Sequence, residues 1–74
     1  MPATLDVKGL TCPLPVLRVK KAMRSMQAGE TLTVHATDPG VVRDAEAFCR
    51  AGGHALLGWR VAEGVIVLEL RRGP

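Results

Sequence analysis

Cys12 is the residue of this 74-residue chain best placed to do chemistry, because it stands in Thr11-Cys12-Pro13-Leu14-Pro15, between an apolar strand pattern and an amphipathic helix pattern. That junction predicts a thiol at a helix N-cap, with Pro13 at the first helical position and Pro15 still within the first turn. Unpaired N–H groups and the positive end of the helix dipole would bias such a sulfur toward thiolate, the form that attacks and is attacked. Neither proline can donate, and the Val16 N–H is committed to the Cys12 carbonyl. Leu14 is therefore expected to turn the one orphan N–H of the first turn toward the sulfur. Pro15 also disfavours helical angles at Leu14, a cost that a purely structural helix start has no reason to carry. Cysteine is a poorer cap than Ser, Thr, Asp or Asn, so its presence points to function.

The other reactive side chains read differently. Cys49 shares a helical face with Val42, Ala45 and Phe48, which makes it a small buried hydrophobe. A Cys12–Cys49 disulfide is not expected, since parallel helices on the order of 18 Å long would hold the two at opposite ends. Pro15 occupies the position where a dithiol redox motif has its second cysteine, so the chain cannot run that chemistry by itself. Hydrolytic cysteine catalysis needs a positioned base, but His35 is predicted on the outer face of a strand and His54 beyond a helix, both away from Cys12. Zinc held by Cys12, His35, Cys49 and His54 fails on spacing and geometry, so neither metal nor cofactor is expected. A lone reactive thiol suits group transfer.

The elements that must position Cys12 follow from periodicity. Thr4 to Lys8 alternates as a strand, and Gly9-Leu10-Thr11 is the loop that delivers the cysteine. From Pro13 to Met26 the residues Val16, Val19, Met23 and Met26 form one apolar stripe with Ala22 beside it, and Gly29 ends the helix. Thr31 to Thr37 alternates again, with Leu32, Val34 and Ala36 inward. Asp38-Pro39 reads as a second N-cap with proline behind it, opening a helix that carries Val41, Val42, Ala45, Phe48 and Cys49 on one side and stops at Gly52-Gly53. Ala55 to Val61 and Val65 to Arg71 are two strands joined by the turn Ala62-Glu63-Gly64.

The order β-α-β-α-β-β, with mostly polar outward strand positions and one stripe per helix, predicts an α/β (α+β) two-layer sandwich. A mixed four-stranded sheet is covered on one face by two helices. Right-handed crossovers make the first three strands run the same way while the last returns antiparallel. Cys12 and Asp38 then share the edge beyond the carboxyl ends of the first two strands, where open α/β sheets place their sites.

Length and composition set bounds. Residues 1–74 are expected to form a single domain. Two cysteines are too few for a disulfide scaffold, the first residues lack a signal-peptide pattern, and the longest apolar run, Val65 to Leu68, is too short to span a bilayer. A cytoplasmic, monomeric protein without a membrane partner is expected. The net charge is +3 and the sequence pI about 9.4. Between Asp6 and Glu30 stand five basic residues, Lys8, Arg18, Lys20, Lys21 and Arg24, and no acid. With one Trp, one Phe and no Tyr to stack bases, direct nucleic-acid binding is not expected. Leu14 and Leu17 point away from the apolar stripe beside the thiol, and with Arg18, Lys21 and Arg24 they form the expected partner-docking surface. The alternative reading is a non-catalytic regulatory or RNA-binding module with a basic helix, in which Cys12 is only a cap.

The pattern Leu5-Asp6-x-x-Gly9-Leu10-x-Cys12-Pro13-x-Pro15-Val16, followed by Gly29-Glu30-Thr31-Leu32, Thr37-Asp38-Pro39 and Phe48-Cys49-x-x-x-Gly53-His54-x-Leu56, resembles the TusA (SirA-like) family of small sulfur carriers over essentially the whole chain. The resemblance implies a β-α-β-α-β-β sandwich like the C-terminal domain of translation initiation factor 3. It also implies that Cys12 carries a persulfide sulfur, with Pro13, Leu14 and Pro15 as motif support. The implied role is a sulfurtransferase acting as a relay, without independent turnover of a small substrate. Its partners would be a cysteine desulfurase or other persulfide donor and an acceptor sulfurtransferase, as in tRNA 2-thiouridine synthesis, molybdenum cofactor synthesis or sulfur oxidation. Leu14 stands where some relatives have an acidic residue.

Overall fold

The computed structural model describes residues 3–74. The elements run β1 (Ala3–Val7), α1 (Leu14–Arg24), β2 (Thr31–Ala36), α2 (Val41–Gly52), β3 (Ala55–Ala62) and β4 (Val65–Arg71). The sheet order is β1-β2-β4-β3, with β1 and β2 parallel and β4 antiparallel to both of its neighbours. The first three strands thus share one direction and the last opposes them, as handedness requires. β4 nonetheless inserts between β2 and β3, so β3 becomes an edge.

Register decides which side chains meet. Leu32 lies opposite Leu70, Val34 opposite Leu68 and Ala36 opposite Ile66. Together with Leu5 and Val7 these present one apolar face to the helices. Val19 and Met23 from α1 and Val41, Ala45 and Cys49 from α2 close the core. The opposite face is largely polar: the Thr33 hydroxyl donates to the Glu69 carboxylate across the β2–β4 pair at 3.0 and 3.1 Å. The helices do not reach the far end of β3. Trp59 and Val61 pair with Leu68 and Ile66 by register, yet both are exposed.

Element ends differ from the sequence expectation for local reasons. β1 lies one residue earlier than expected. α1 stops at Arg24 rather than Met26, because the Ser25 N–H returns to Ala22 and the Met26 N–H to Met23, the tighter i to i−3 pattern of a closing turn. The Arg72 Nε donates to the Met23 carbonyl at 2.8 Å and so satisfies part of that helix end. Asp38 is not the N-cap of α2. Its carboxylate accepts from the Gly40 N–H at 3.2 Å and its carbonyl from the Val41 N–H at 3.1 Å, which makes a turn that sets Gly40 at the cap position. The β3–β4 turn has two residues, Glu63 and Gly64, with φ of 53° and 78°; a tight hairpin of this hand demands such values.

Candidate functional site

Two loops at the carboxyl ends of β1 and β2 build the site. Gly9, at φ 81°, turns the chain out of β1 and donates its N–H to the Thr37 hydroxyl at 2.9 Å, tying the cysteine loop to the loop that opens α2. The Leu10 N–H returns to the Val7 carbonyl at 3.2 Å. Cys12 is exposed and lies at the same sheet edge as Asp38, as the topology anticipated.

The helix start differs from the expected one. Cys12 precedes the cap, the Cys12–Pro13 peptide is cis, Pro13 itself is the N-cap, and Pro15 falls in the first turn. The Leu14 N–H does not face the sulfur, because it donates to the Thr11 carbonyl at 2.9 Å. The Leu17 N–H donates to Pro13 at 3.2 Å, so the first helical bond closes one residue later than expected. Pro15 is buried, which gives the second proline of the motif a packing role.

The electrostatics of the thiol also depart from the helix-terminus expectation. The Asp44 carboxylate beside Cys12 holds the thiol pKa above the ordinary cysteine value; partial desolvation and the negative charge of Asp38 act in the same direction. The helix dipole does not govern this thiol, because the sulfur sits outside the cap and α2 brings a carboxylate to it. Cys49 is buried at 4% exposure among core side chains, and that burial pushes its thiol up as well. Both cysteines are free thiols, one accessible and one not.

Both helices start from the same sheet edge, so equivalent faces meet side by side. Cys12, Val16, Leu17 and Lys20 face Asp44 and Phe48 across a shallow groove of about 430 Å³. Lys20, Asp44 and Phe48 were not among the expected site residues. The i, i+4 pair Asp44 and Phe48 was the one available signal, and it says nothing until α2 lies beside α1. The expected docking residues divide between two sides of α1. Leu17 stands in the groove at 52% exposure, and Arg24 joins Lys20 and Phe48 in the groove's continuation toward the other end of the helices. Arg18 and Lys21 line a separate depression with Leu5 on the β1 side. Leu14 is exposed at the helix tip.

The histidines lie apart from the thiol. His54 stacks on Phe48 with ring centroids 5.0 Å apart and accepts the Gly73 N–H on Nδ1 at 2.9 Å. His35 is on the outer sheet face opposite Val67. Among the described residues, no three His, Cys, Asp or Glu side chains cluster as a metal site, and no helix is long and apolar enough to cross a membrane.

Comparison with known proteins extends this picture. Residues 3–72 match the family model described as sulfurtransferase TusA. The chain is 51% identical over 53 residues to the sulfur carrier protein TusA of Allochromatium vinosum, covering 72% of this chain and 71% of that one. It is 58% identical over 68 residues, 92% of each chain, to a candidate sulfur carrier protein of Neisseria meningitidis serogroup A. The crystal structure of a SirA-like protein from Desulfitobacterium hafniense superposes with a TM-score of 0.83 at 27% identity, covering 97% of this chain and 99% of that one.

Proposed function

The chain belongs to the TusA family, and on that premise we propose that Cys12 carries the sulfur, as a persulfide received from a donor protein and passed to an acceptor protein. The observation that supports this reading is the contrast between the two thiols. Cys12 is exposed at a sheet edge beside a groove, whereas Cys49 is sealed in the core.

Exchange is balanced at each step. The Cys12 thiolate attacks the outer sulfur of the donor's persulfide; the donor's S–S bond breaks, its cysteine leaves as thiolate, and a new S–S bond joins the transferred sulfur to Cys12. An acceptor thiolate then attacks that outer sulfur, and Cys12 departs as thiolate. Both steps depend on thiolate fraction and access. In the free carrier Asp44 and Asp38 raise the thiol pKa and so lower its thiolate fraction. A partner that brings positive charge against them would raise the thiolate fraction at the moment of docking. The donor in this reading is a cysteine desulfurase or another persulfide donor, and the acceptor a sulfurtransferase, as in tRNA 2-thiouridine synthesis or other sulfur trafficking. No metal or organic cofactor takes part, and the chain acts as a cytoplasmic monomer.

The test is incubation with a cysteine desulfurase and cysteine, followed by intact mass and peptide mapping. One added sulfur atom on Cys12 and none on Cys49 is expected, with loading abolished in Cys12→Ser. Sulfur mainly on Cys49, or loading that survives Cys12→Ser, overturns the assignment.

A further inference from the structure

The groove between α1 and α2 has a polarity that the sulfur-carrier reading leaves unused. At the Cys12 end its charges are negative, from Asp44 and nearby Asp38. Its middle is apolar, built from Val16, Leu17 and Phe48. Beyond Phe48 the groove continues between Lys20, Arg24 and Arg72, where the charges are positive. Acid, apolar floor and base therefore follow one another along the two helices, starting at the thiol.

The spacing suits an extended chain. Along α1 from its N-cap Pro13, next to the thiol, the point midway between Lys20 and Arg24 is nine helical steps away, about 13.5 Å at a rise of about 1.5 Å per residue. An extended segment advances about 3.3 Å per residue, so about four residues span the same length, and its alternate side chains fall on one face. A cysteine at Cys12 then places a side chain two residues away over the apolar floor and one four residues away between Lys20 and Arg24. A helix would hold its axis about 5 Å above the floor, given a diameter of about 10 Å, and would point fewer side chains inward over that length.

We propose that this groove receives the cysteine-bearing segment of the partner protein in extended form, with an apolar residue two positions from the partner cysteine and an acidic residue four positions from it. The proposal rests on the reading of Cys12 as the sulfur carrier. Charge complementarity selects the occupant: an acid beside the partner cysteine meets Asp44 and is repelled, whereas an acid four residues away meets Lys20 and Arg24.

Short peptides test it. Cys-Ser-Leu-Ser-Glu and its reversed order Glu-Ser-Leu-Ser-Cys, each with the cysteine as a mixed disulfide with thionitrobenzoate, are mixed with the full chain and release of thionitrobenzoate is followed. The Cys12 thiolate forms a disulfide with the peptide sulfur and the aryl thiolate leaves. Saturable exchange is expected for at least one chain direction. Replacing Glu by Lys, moving Glu next to Cys, or replacing Leu by Ser should each weaken half-saturation by about three- to tenfold at low ionic strength. Lys20→Glu should reverse the preference between the Glu and Lys peptides, and Leu17→Ser, at a position exposed enough to tolerate it, should erase the preference for Leu. Arg60→Glu, the same charge change on the outer sheet face, should leave the peptide preferences in place. Exchange that is linear in peptide and indifferent to sequence, or a preference that Lys20→Glu does not move, overturns the groove assignment while desulfurase loading of Cys12 still supports the carrier reading. Absence of desulfurase loading overturns that reading whatever the peptides do.

Discussion

Replacing Cys49 by alanine separates the two thiols by both function and stability. The side chain is 4% exposed and packs in the same cluster as Val41, Ala45 and Leu70. Its loss removes one methyl-sized atom and leaves a partly filled void, a change that costs about 1 kcal/mol by analogy with Ile→Val in well-packed cores. For a domain of this size that is a fall in melting temperature of roughly 4–8 °C. Total stability of about 4–11 kcal/mol, at roughly 0.05–0.15 kcal/mol per residue, leaves the variant folded.

The deficit also depends on pH with a definite sign. Burial raises the folded-state pKa of Cys49, so above about pH 8.5, the ordinary cysteine value, the unfolded chain loses this proton first and binds fewer protons than the folded one. Stability of the parent protein therefore declines there through a contribution the alanine variant lacks, and the gap between the two narrows as pH rises until the folded thiol also ionises. Urea titrations at pH 7 and pH 9.5, with sulfur loading measured on the same samples, check all three points. Loading should be unchanged. A correctly folded Cys49→Ala protein that takes up no sulfur, an unchanged midpoint at pH 7, or a gap that widens at pH 9.5 would refute the reasoning.

Two further perturbations follow. Asp44→Asn removes the carboxylate that holds the Cys12 thiol above its ordinary pKa, so iodoacetamide alkylation of Cys12 should speed up at neutral pH and its pH profile should move to lower pH; an unchanged profile would mean that Asp44 does not control the thiol. Gly64→Ala forces an L-residue to φ near 78° in the β3–β4 turn and should cost about 1–2 kcal/mol by chemical denaturation without affecting alkylation of Cys12, which follows β1 on the opposite side of the sheet order β1-β2-β4-β3.

The strands, both helices and the two-layer arrangement were legible because their signals are local. Leu32, Val34 and Ala36 alternate in β2 whether or not a neighbouring strand is known, and Gly53, Gly64 and the Asp38-Pro39 step mark breaks through their own backbone preferences. Cys12 stood out for the same reason, since two prolines around a lone cysteine are visible in five residues. The exact helix start was not legible. Whether the Leu14 N–H turns to the sulfur or back to Thr11 depends on the path of the loop, and that path is held by a bond from Gly9 to Thr37, 28 residues away. The electrostatic setting of the thiol was out of reach for the same physical cause. A helix dipole belongs to one segment and can be anticipated from it, but a carboxylate from a second helix arrives only when the core packs the two side by side. Local sequence thus singled out Cys12 as the candidate, through backbone preferences and periodicity that need no partner; tertiary packing decided which charges and which groove surround it, because those depend on contacts between residues more than twenty positions apart.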